Sequence, residues 1–160
     1  MTKPEQKRLL ICVTIILVLM LASCDTGNGT DPDGDTPIII NRFNSVAEAS
    51  AYLTAQIVTG LYASDPVFLP MNINLGNMGT GSGWYELLNA INSAGRYVSL
   101  DLETCPMSDT IFGYSLSNNR IVSIVLPMVS TSIRANAFSG CTALKSVSFP
   151  AVTDIGSYAT

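Results

Sequence analysis

Cys24 is the residue whose sequence surroundings point most directly to chemistry. It follows Leu21, Ala22 and Ser23 at the end of a short apolar run. Small residues before the cysteine let the preceding peptide bond fit a narrow protease site, and the leucine fills an apolar subsite. This spacing is that of the lipobox of bacterial lipoproteins, in which the thiol carries a diacylglycerol and the freed amine a third acyl chain. Because each buried CH₂ contributes about 0.8 kcal/mol, two or three chains anchor a protein far more firmly than one.

Residues 1–23 have the features of a signal peptide. Basic residues precede an apolar stretch, Leu9–Leu21. As a helix this stretch measures about 20 Å, short of the roughly 30 Å core of a bilayer. The basic residues are Lys3, Lys7 and Arg8. The sequence therefore predicts an extracytoplasmic protein held in the bacterial envelope, at the outer membrane or cell surface, by lipid on Cys24. An ordinary secretory signal that ends beside a cysteine is the alternative.

Residues that could carry out catalysis are few. The chain has no histidine, which excludes Ser-His-Asp and Cys-His catalysis and removes the commonest zinc ligand. Asp101 and Glu103 lie two apart on one strand and could act as an acid pair, although solvated outward positions explain them more simply. The glycines of 76–83 lack the Lys-Ser/Thr ending of a phosphate loop and are better explained as a connection. We predict no catalytic residue, no enzyme activity and no cofactor; a surface glycoside hydrolase is the second alternative.

Neither the aspartates nor the cysteines predict a metal site. The alternating aspartates of 31–35 begin like a calcium loop, but the glycine comes fourth instead of sixth and Arg42 occupies the twelfth place. That place requires a bidentate glutamate. Cys105 and Cys141 remain after export to an oxidising compartment and could pair. We expect Cys141 instead to occupy a buried position in a sequence repeat near the end of the chain, with a thiol that reacts slowly.

The charge of the exported chain argues against nucleic acid as a partner. Removal of residues 1–23 leaves five basic and eleven acidic side chains, and five minus eleven gives a net charge of −6. The five cations are spread along the sequence and form no basic cluster of the kind that nucleic-acid binding requires. They are Arg42, Arg96, Arg120, Arg134 and Lys145.

Local patterns predict a helix and a strand after residue 43. Ser45 and Glu48 form a capping box at the start of a helix of roughly 45–58, with Gly60 as its stop. Alternation over 69–75 predicts a half-buried strand, and Pro70 places it at an edge or a strand start. The apolar face of the helix comprises Val46, Ala49, Leu53 and Ile57.

A second helix and strand follow the glycine-rich turn. The helix ends at Gly95, and its apolar face comprises Trp84, Leu87, Leu88 and Ile91. We expect Trp84 to be a core residue. The strand covers 97–102 and directs Val98, Leu100 and Leu102 to one side.

The pattern of that strand recurs to the end of the sequence. Residues 98–102 match 122–126 at an offset of 24. Residues 121–127 match 144–150 at an offset of 23. Ile133 and Ala137 then recur as Ile155 and Ala159 at an offset of 22. A period in the low twenties with L-x-x-L-x-L spacing predicts a leucine-rich-repeat solenoid, whose stacked coils bury a core that a single coil could not.

This repeat resembles a known family. Its residues are Ile121-Val-Ser-Ile-Val-Leu-Pro127, followed by Ile133, Ala137-Phe138, Cys141 and Leu144. They resemble the BspA-type, or Treponema-type, leucine-rich repeat of bacterial surface lipoproteins. The clear match covers 121–160. Arg134 departs from it, because a glycine usually follows the isoleucine, and we expect a costlier left-handed backbone there. The resemblance implies an α/β fold, a solenoid with a short strand and a helical or irregular turn per repeat, behind an N-terminal α/β cap.

These patterns divide the sequence into four parts. Residues 1–23 are the signal peptide and 24–43 a lipid-anchored flexible tether, since 25–37 hold no apolar side chain except two prolines. Residues 44–115 form the cap with a degenerate repeat, and 116–160 the repeats. Thr160 aligns with Phe138, so we expect an N-terminal fragment that stops within a repeat.

Outward positions of the repeat strands form the candidate binding surface, which we name the strand face. It comprises Val122, Ser123, Val125, Lys145, Ser146 and Ser148. Small polar side chains that line up from coil to coil suit a protein or glycan ligand better than a small molecule. The resemblance implies adhesion to macromolecules of a host or neighbouring cell. A structural or envelope-associated lipoprotein with no host ligand is the alternative.

Overall fold

Two parallel sheets and two helices make up the part of the chain that the computed structural model describes, residues 41–113 and 118–159. The expected α/β class is confirmed at the level of a mixed α/β fold with parallel sheets. Several predictions fall outside the described residues: the lipobox Leu21, Ala22 and Ser23, the acylation site Cys24, the aspartates of 31–35, and Thr160. No helix in the described ranges has the length and apolarity needed to cross a membrane.

The first helix, α1, spans Val46–Ala55 and begins as predicted. Ser45 Oγ accepts the Glu48 amide at 3.2 Å. The helix ends earlier than predicted, since the backbone becomes extended at Gln56, whose carbonyl accepts a hydrogen bond from the Arg96 guanidinium. Ile57 therefore lies beyond the helix and is 83 % exposed, so its predicted place on the buried face is wrong.

The second helix, α2, spans Gly83–Ala94 and confirms the predicted face and stop. Ser82 caps its first turn, and Gly95 ends it in the left-handed conformation with φ 64°. Gly83 is required for close packing, because a Cβ there would lie 2.1 Å from the Asn74 carbonyl oxygen. All four predicted face residues, Trp84, Leu87, Leu88 and Ile91, are buried.

The larger sheet has four parallel strands in the order β1-β2-β4-β6, and the smaller has three in the order β3-β5-β7. In chain order the strands are β1 Val67–Pro70, β2 Val98–Asp101, β3 Ile111–Phe112, β4 Ile121–Val125, β5 Ser132–Ile133, β6 Ser146–Ser148 and β7 Asp154–Ile155. The strand predicted over 69–75 is shorter and begins earlier than expected, but Pro70 lies on an edge strand as predicted. Each sheet combines strands from the predicted cap, residues 44–115, with strands from the predicted repeats, residues 116–160.

The register of the sheets pairs the residues that the sequence aligned. Leu100 lies opposite Ile124, an offset of 24, and Ile124 lies opposite Val147, an offset of 23. In the smaller sheet Ile133 lies opposite Ile155, an offset of 22. Successive segments of similar length therefore place one strand in each sheet, in parallel.

The core between these elements contains most of the apolar positions of the predicted repeat. Phe138 is 8 % exposed, and its ring centroid lies 6.0 Å from that of Phe112, which in turn contacts Trp84 edge-on at 5.4 Å. Phe149 and Ile155, which match the buried Leu126 and Ile133, are instead 44 % and 58 % exposed. Phe149 follows β6 and Ile155 lies in β7, each an edge strand of its sheet that no further described strand covers.

Arg134 does not occupy a left-handed position, contrary to the expectation from its missing glycine. The recurrent left-handed residues are Asn136, with φ 58°, and Tyr158, with φ 56°, at an offset of 22. Gly156, which follows Ile155, is needed for lack of space rather than for its backbone conformation. A Cβ there would lie 2.5 Å from the Ala135 amide nitrogen.

Candidate functional site

The outward side of the larger sheet carries a row of residues that the register brings side by side. Phe68 on β1 lies opposite Ser99 on β2, Ser99 opposite Ser123 on β4, and Ser123 opposite Ser146 on β6. The hydroxyls of Ser99 and Ser123 share a hydrogen bond. Phe68 is 48 % exposed, and Ser146 is exposed. The structure thus extends the predicted strand face towards β1 by Ser99 and Phe68.

A second row lies two positions further along the same strands. Val125 is half-buried and pairs with Ser148, which is exposed, while Asp101 lies opposite Val125 on the other side. Because alternate residues of a strand point to the same side of a sheet, both rows belong to one surface. Lys145 is exposed at its border.

Val122 does not belong to this surface, and its predicted outward exposure is wrong. It is 6 % exposed and lies where the pairing of β2 with β4 shifts, because Val98 faces Ile121 while Ser99 already faces Ser123. Val122 is the additional residue of this irregularity. Its carbonyl accepts the Lys145 amide at 2.8 Å.

The acid pair considered for catalysis is engaged in an ion-pair cluster. Asp101 Oδ2 lies 2.9 Å from Arg42 Nη2, and Asp101 Oδ1 accepts the Glu103 amide. The Glu103 carboxylate lies 3.5 Å from the same Arg42 nitrogen. Asp101 is only 8 % exposed, so its predicted solvated position is wrong. The guanidinium between the two carboxylates ties the segment before α1 to the end of β2.

Cys105 and Cys141 are free thiols in the part of the chain that the structure describes. Burial raises the pKa of the Cys105 thiol, and a hydrogen bond from the Ile73 backbone only partly opposes this. Burial also raises the pKa of Cys141, against a backbone hydrogen bond from Asn118. Cys141 is half-buried rather than fully buried as expected, since it precedes the outermost strand β6.

A cleft opens at the end of the larger sheet where its strands begin; we name it the rim cleft. Lys145 Nζ donates to the Ala63 carbonyl oxygen at 3.1 Å, so the connection before β1 reaches the start of β6. The Arg120 guanidinium lies over the Tyr97 ring, 4.7 Å from its centroid. The cleft has a volume of about 360 Å³ and is lined by Ala63, Tyr97, Asn119, Thr142, Ala143, Leu144 and Lys145.

The sequence patterns did not predict the rim cleft, because its cations are spread along the sequence. Their spacing contained the signal: Arg120 follows Arg96 at an offset of 24, and Lys145 follows Arg120 at an offset of 25. These offsets are close to the period of the strands. Each cation therefore precedes a strand of the same parallel sheet.

No group of three or more His, Cys, Asp or Glu residues that could hold a metal ion occurs within the described ranges. In comparisons with known proteins, no family model, no curated protein and no solved structure matches the chain. We therefore infer function from the chain's own residues.

Proposed function

We propose that this chain is a lipid-anchored bacterial surface protein whose leucine-rich repeats bind macromolecules of a host or neighbouring cell. The ligand contacts the strand face, which after the loss of Val122 consists of Ser123, Val125, Lys145, Ser146 and Ser148. The observation that carries the proposal is the in-register row of outward serines across β2, β4 and β6. Such a row offers one continuous surface to a large ligand.

The repeat architecture has support from burial as well as register. The three apolar positions of the L-x-x-L-x-L pattern at Ile121, Ile124 and Leu126 are 3 %, 2 % and 0 % exposed. The residues between them include Ser123 and Val125, which are only half-buried. This is the division between core and surface that a stacked coil requires. It favours the BspA-type repeat that the sequence resembles.

The chemistry of the strand face suits recognition rather than catalysis. Hydroxyl groups both donate and accept hydrogen bonds, so a serine row adapts to backbone or sugar groups of a partner. Phe68 at one end adds an exposed aromatic ring, a side chain enriched at interfaces. Attachment through acylated Cys24 places this surface outside the cell.

The test replaces three residues of the strand face with glutamate, Ser123, Lys145 and Ser148. The three introduced carboxylates and the loss of the Lys145 cation should weaken contacts with a partner. We expect cells that display this variant to adhere to immobilised basement-membrane matrix at least tenfold less than cells with the wild type. The matched control replaces the exposed Arg134, Ser139 and Ser157, which lie outside the strand face, with glutamate and should adhere like the wild type.

Adherence of the strand-face variant at wild-type strength would contradict the proposal. An envelope-associated lipoprotein with no host ligand would then be the better assignment. Thermal unfolding of both variants shows whether a loss of adherence reflects a loss of fold.

A further inference from the structure

Three of the five cations in the described residues gather at one end of the larger sheet. Arg96, Arg120 and Lys145 come one or two positions before β2, β4 and β6. The parallel pairing brings these positions together, since the Val98 amide donates to the Arg120 carbonyl at 2.8 Å. The whole chain has a net charge of −4, so this end of the sheet differs in sign from the molecule as a whole.

Lys145 keeps hydrogen-bonding capacity for a ligand, because it uses one of the three donors of its ammonium group on Ala63. The Arg120 guanidinium carbon lies 4.7 Å from the centroid of the Tyr97 ring, which lines the cleft. Within the described residues, the ion pairs all involve Arg42, so neither cation contacts a carboxylate there. Their positive charge is therefore available to an anion.

The local structure holds Arg120 in place. Asn118 is 1 % exposed, and its side-chain oxygen accepts the Arg120 amide at 2.8 Å. This hydrogen bond fixes the backbone of the turn into β4 beside Asn119, which lines the cleft. A backbone held in this way needs less ordering when a ligand contacts Asn119, which lowers the entropy cost of binding.

The rim cleft has the size and lining of a saccharide site. Its volume of about 360 Å³ is near the lower end of the roughly 300–1,000 Å³ typical of ligand sites. Tyr97, Asn119 and Thr142 supply hydroxyl and amide groups that can bond to sugar hydroxyls. Tyr62, beside Ala63 in the chain and 70 % exposed, offers an aromatic face on which a sugar ring can stack.

We propose that the rim cleft binds an acidic saccharide, a sugar that carries a sulfate or carboxylate group, with its anion held by Lys145. Arg120, whose guanidinium lies over the lining residue Tyr97, adds positive charge nearby. This site goes beyond the proposed function: it lies at the strand starts, takes a defined ligand class, and stands even if the strand face binds no cell. A polyanion does not bind an acidic protein through net charge, so binding must come from a local site.

The experiment is calorimetric titration of the full chain with a heparin-derived tetrasaccharide, with tetragalacturonate and with neutral maltotetraose. We expect binding of at least one charged tetrasaccharide, weakened when salt is raised from 50 to 300 mM, and no binding of maltotetraose. The preferred charged probe identifies the anion as sulfate or carboxylate. Lys145→Gln should weaken binding at least tenfold and Arg120→Gln by less, since only Lys145 lines the cleft. The matched control Arg134→Gln, an exposed cation away from the cleft, should leave binding unchanged.

Asn119→Asp provides a variant that cannot be dismissed as misfolded, because Asn119 is exposed. It adds a negative charge to the cleft and should abolish binding. Lys145 belongs to both surfaces, so the variant that separates them is Ser123→Glu with Ser148→Glu, which keeps Lys145. It should bind the saccharide like the wild type and should still lose adherence through the strand face. The proposal is overturned if neither charged tetrasaccharide binds more tightly than inorganic sulfate, or if Arg134→Gln weakens binding as much as Lys145→Gln.

Discussion

At the scale of single residues, the Asp101 carboxylate joins the segment before α1 to the end of β2. It accepts a charged hydrogen bond from Arg42 and a backbone hydrogen bond from Glu103. Its replacement by alanine removes both, so we expect Asp101→Ala to lower the free energy of unfolding by about 1.5–3 kcal/mol. Urea denaturation measures the change.

Glu103→Gln is the matched control for this ion pair. Its side chain is 48 % exposed and lies 3.5 Å from the same guanidinium, so water and salt screen the interaction. Its loss should cost no more than about 1 kcal/mol. Equal effects of the two substitutions would show that Asp101 is not the main partner of Arg42.

The raised pKa of both cysteine thiols predicts a pH dependence of their alkylation. The thiolate is the nucleophile, and a raised pKa leaves less thiolate at neutral pH. We expect iodoacetamide to modify both slowly at pH 7, with rates that rise about tenfold per pH unit towards the raised pKa. Cys105, which is 1 % exposed, should react more slowly than half-buried Cys141.

Peptide mapping by mass spectrometry without reductant measures both rates. A peptide that contains Cys105 joined to Cys141 would contradict the assignment of free thiols. Fast reaction of Cys105 at pH 7 would contradict its burial.

At the scale of elements, the two phenylalanines of the predicted repeats, residues 116–160, can be compared directly. Phe138 is 8 % exposed and packs on Phe112, whereas Phe149 is 44 % exposed beside the outermost strand. Phe138→Ala should cost about 3–5 kcal/mol in unfolding free energy, because it leaves a cavity among packed rings. Phe149→Ala should cost clearly less. Thermal and urea unfolding of both variants test this, and a Phe149 effect as large as that of Phe138 would refute the assigned burial.

What the sequence predicted well depends on neighbours in the chain. The Ser45 cap, the Gly95 stop and the buried face of α2 follow from local hydrogen bonding and helical periodicity, and all three are present. What it missed depends on residues far away in the chain. At the end of α1, the Gln56 carbonyl accepts a hydrogen bond from Arg96, 40 positions away. The burial of Val122 accompanies a shift in the pairing of β4 with β2.

The candidate sites follow the same division. The outward serines of the strand face could be predicted because alternation along a strand fixes which side each residue takes. The rim cleft could not be predicted from alternation. It requires the connection through Ala63 to reach Lys145, a contact between positions far apart in the sequence.

At the scale of the whole molecule, anchoring can be tested without reference to the fold. Cys24→Ser should leave an uncleaved, unacylated precursor, because a hydroxyl does not replace the thiol that accepts the lipid. Metabolic labelling with a radioactive fatty acid, followed by electrophoresis, measures it. Cys12→Ser, within the predicted signal peptide, is the control and should be labelled like the wild type. Label that persists in Cys24→Ser would rule out the lipobox.

The attachment of residues 42–44 has a mechanical consequence. The Phe43 amide donates to the Pro70 carbonyl at the end of β1, and the Phe43 carbonyl accepts the Asn72 amide. Arg42 adds its ion pairs with Asp101 and Glu103 and a hydrogen bond to the Met71 carbonyl, and Asn44 accepts a hydrogen bond from the Asn72 side chain. A pull on the chain ahead of Arg42 therefore loads these contacts before the pairing between strands of the larger sheet. Their rupture would release about 10 Å of extended chain while the sheet stays folded. The segment can thus yield under tension and spare the surfaces behind it.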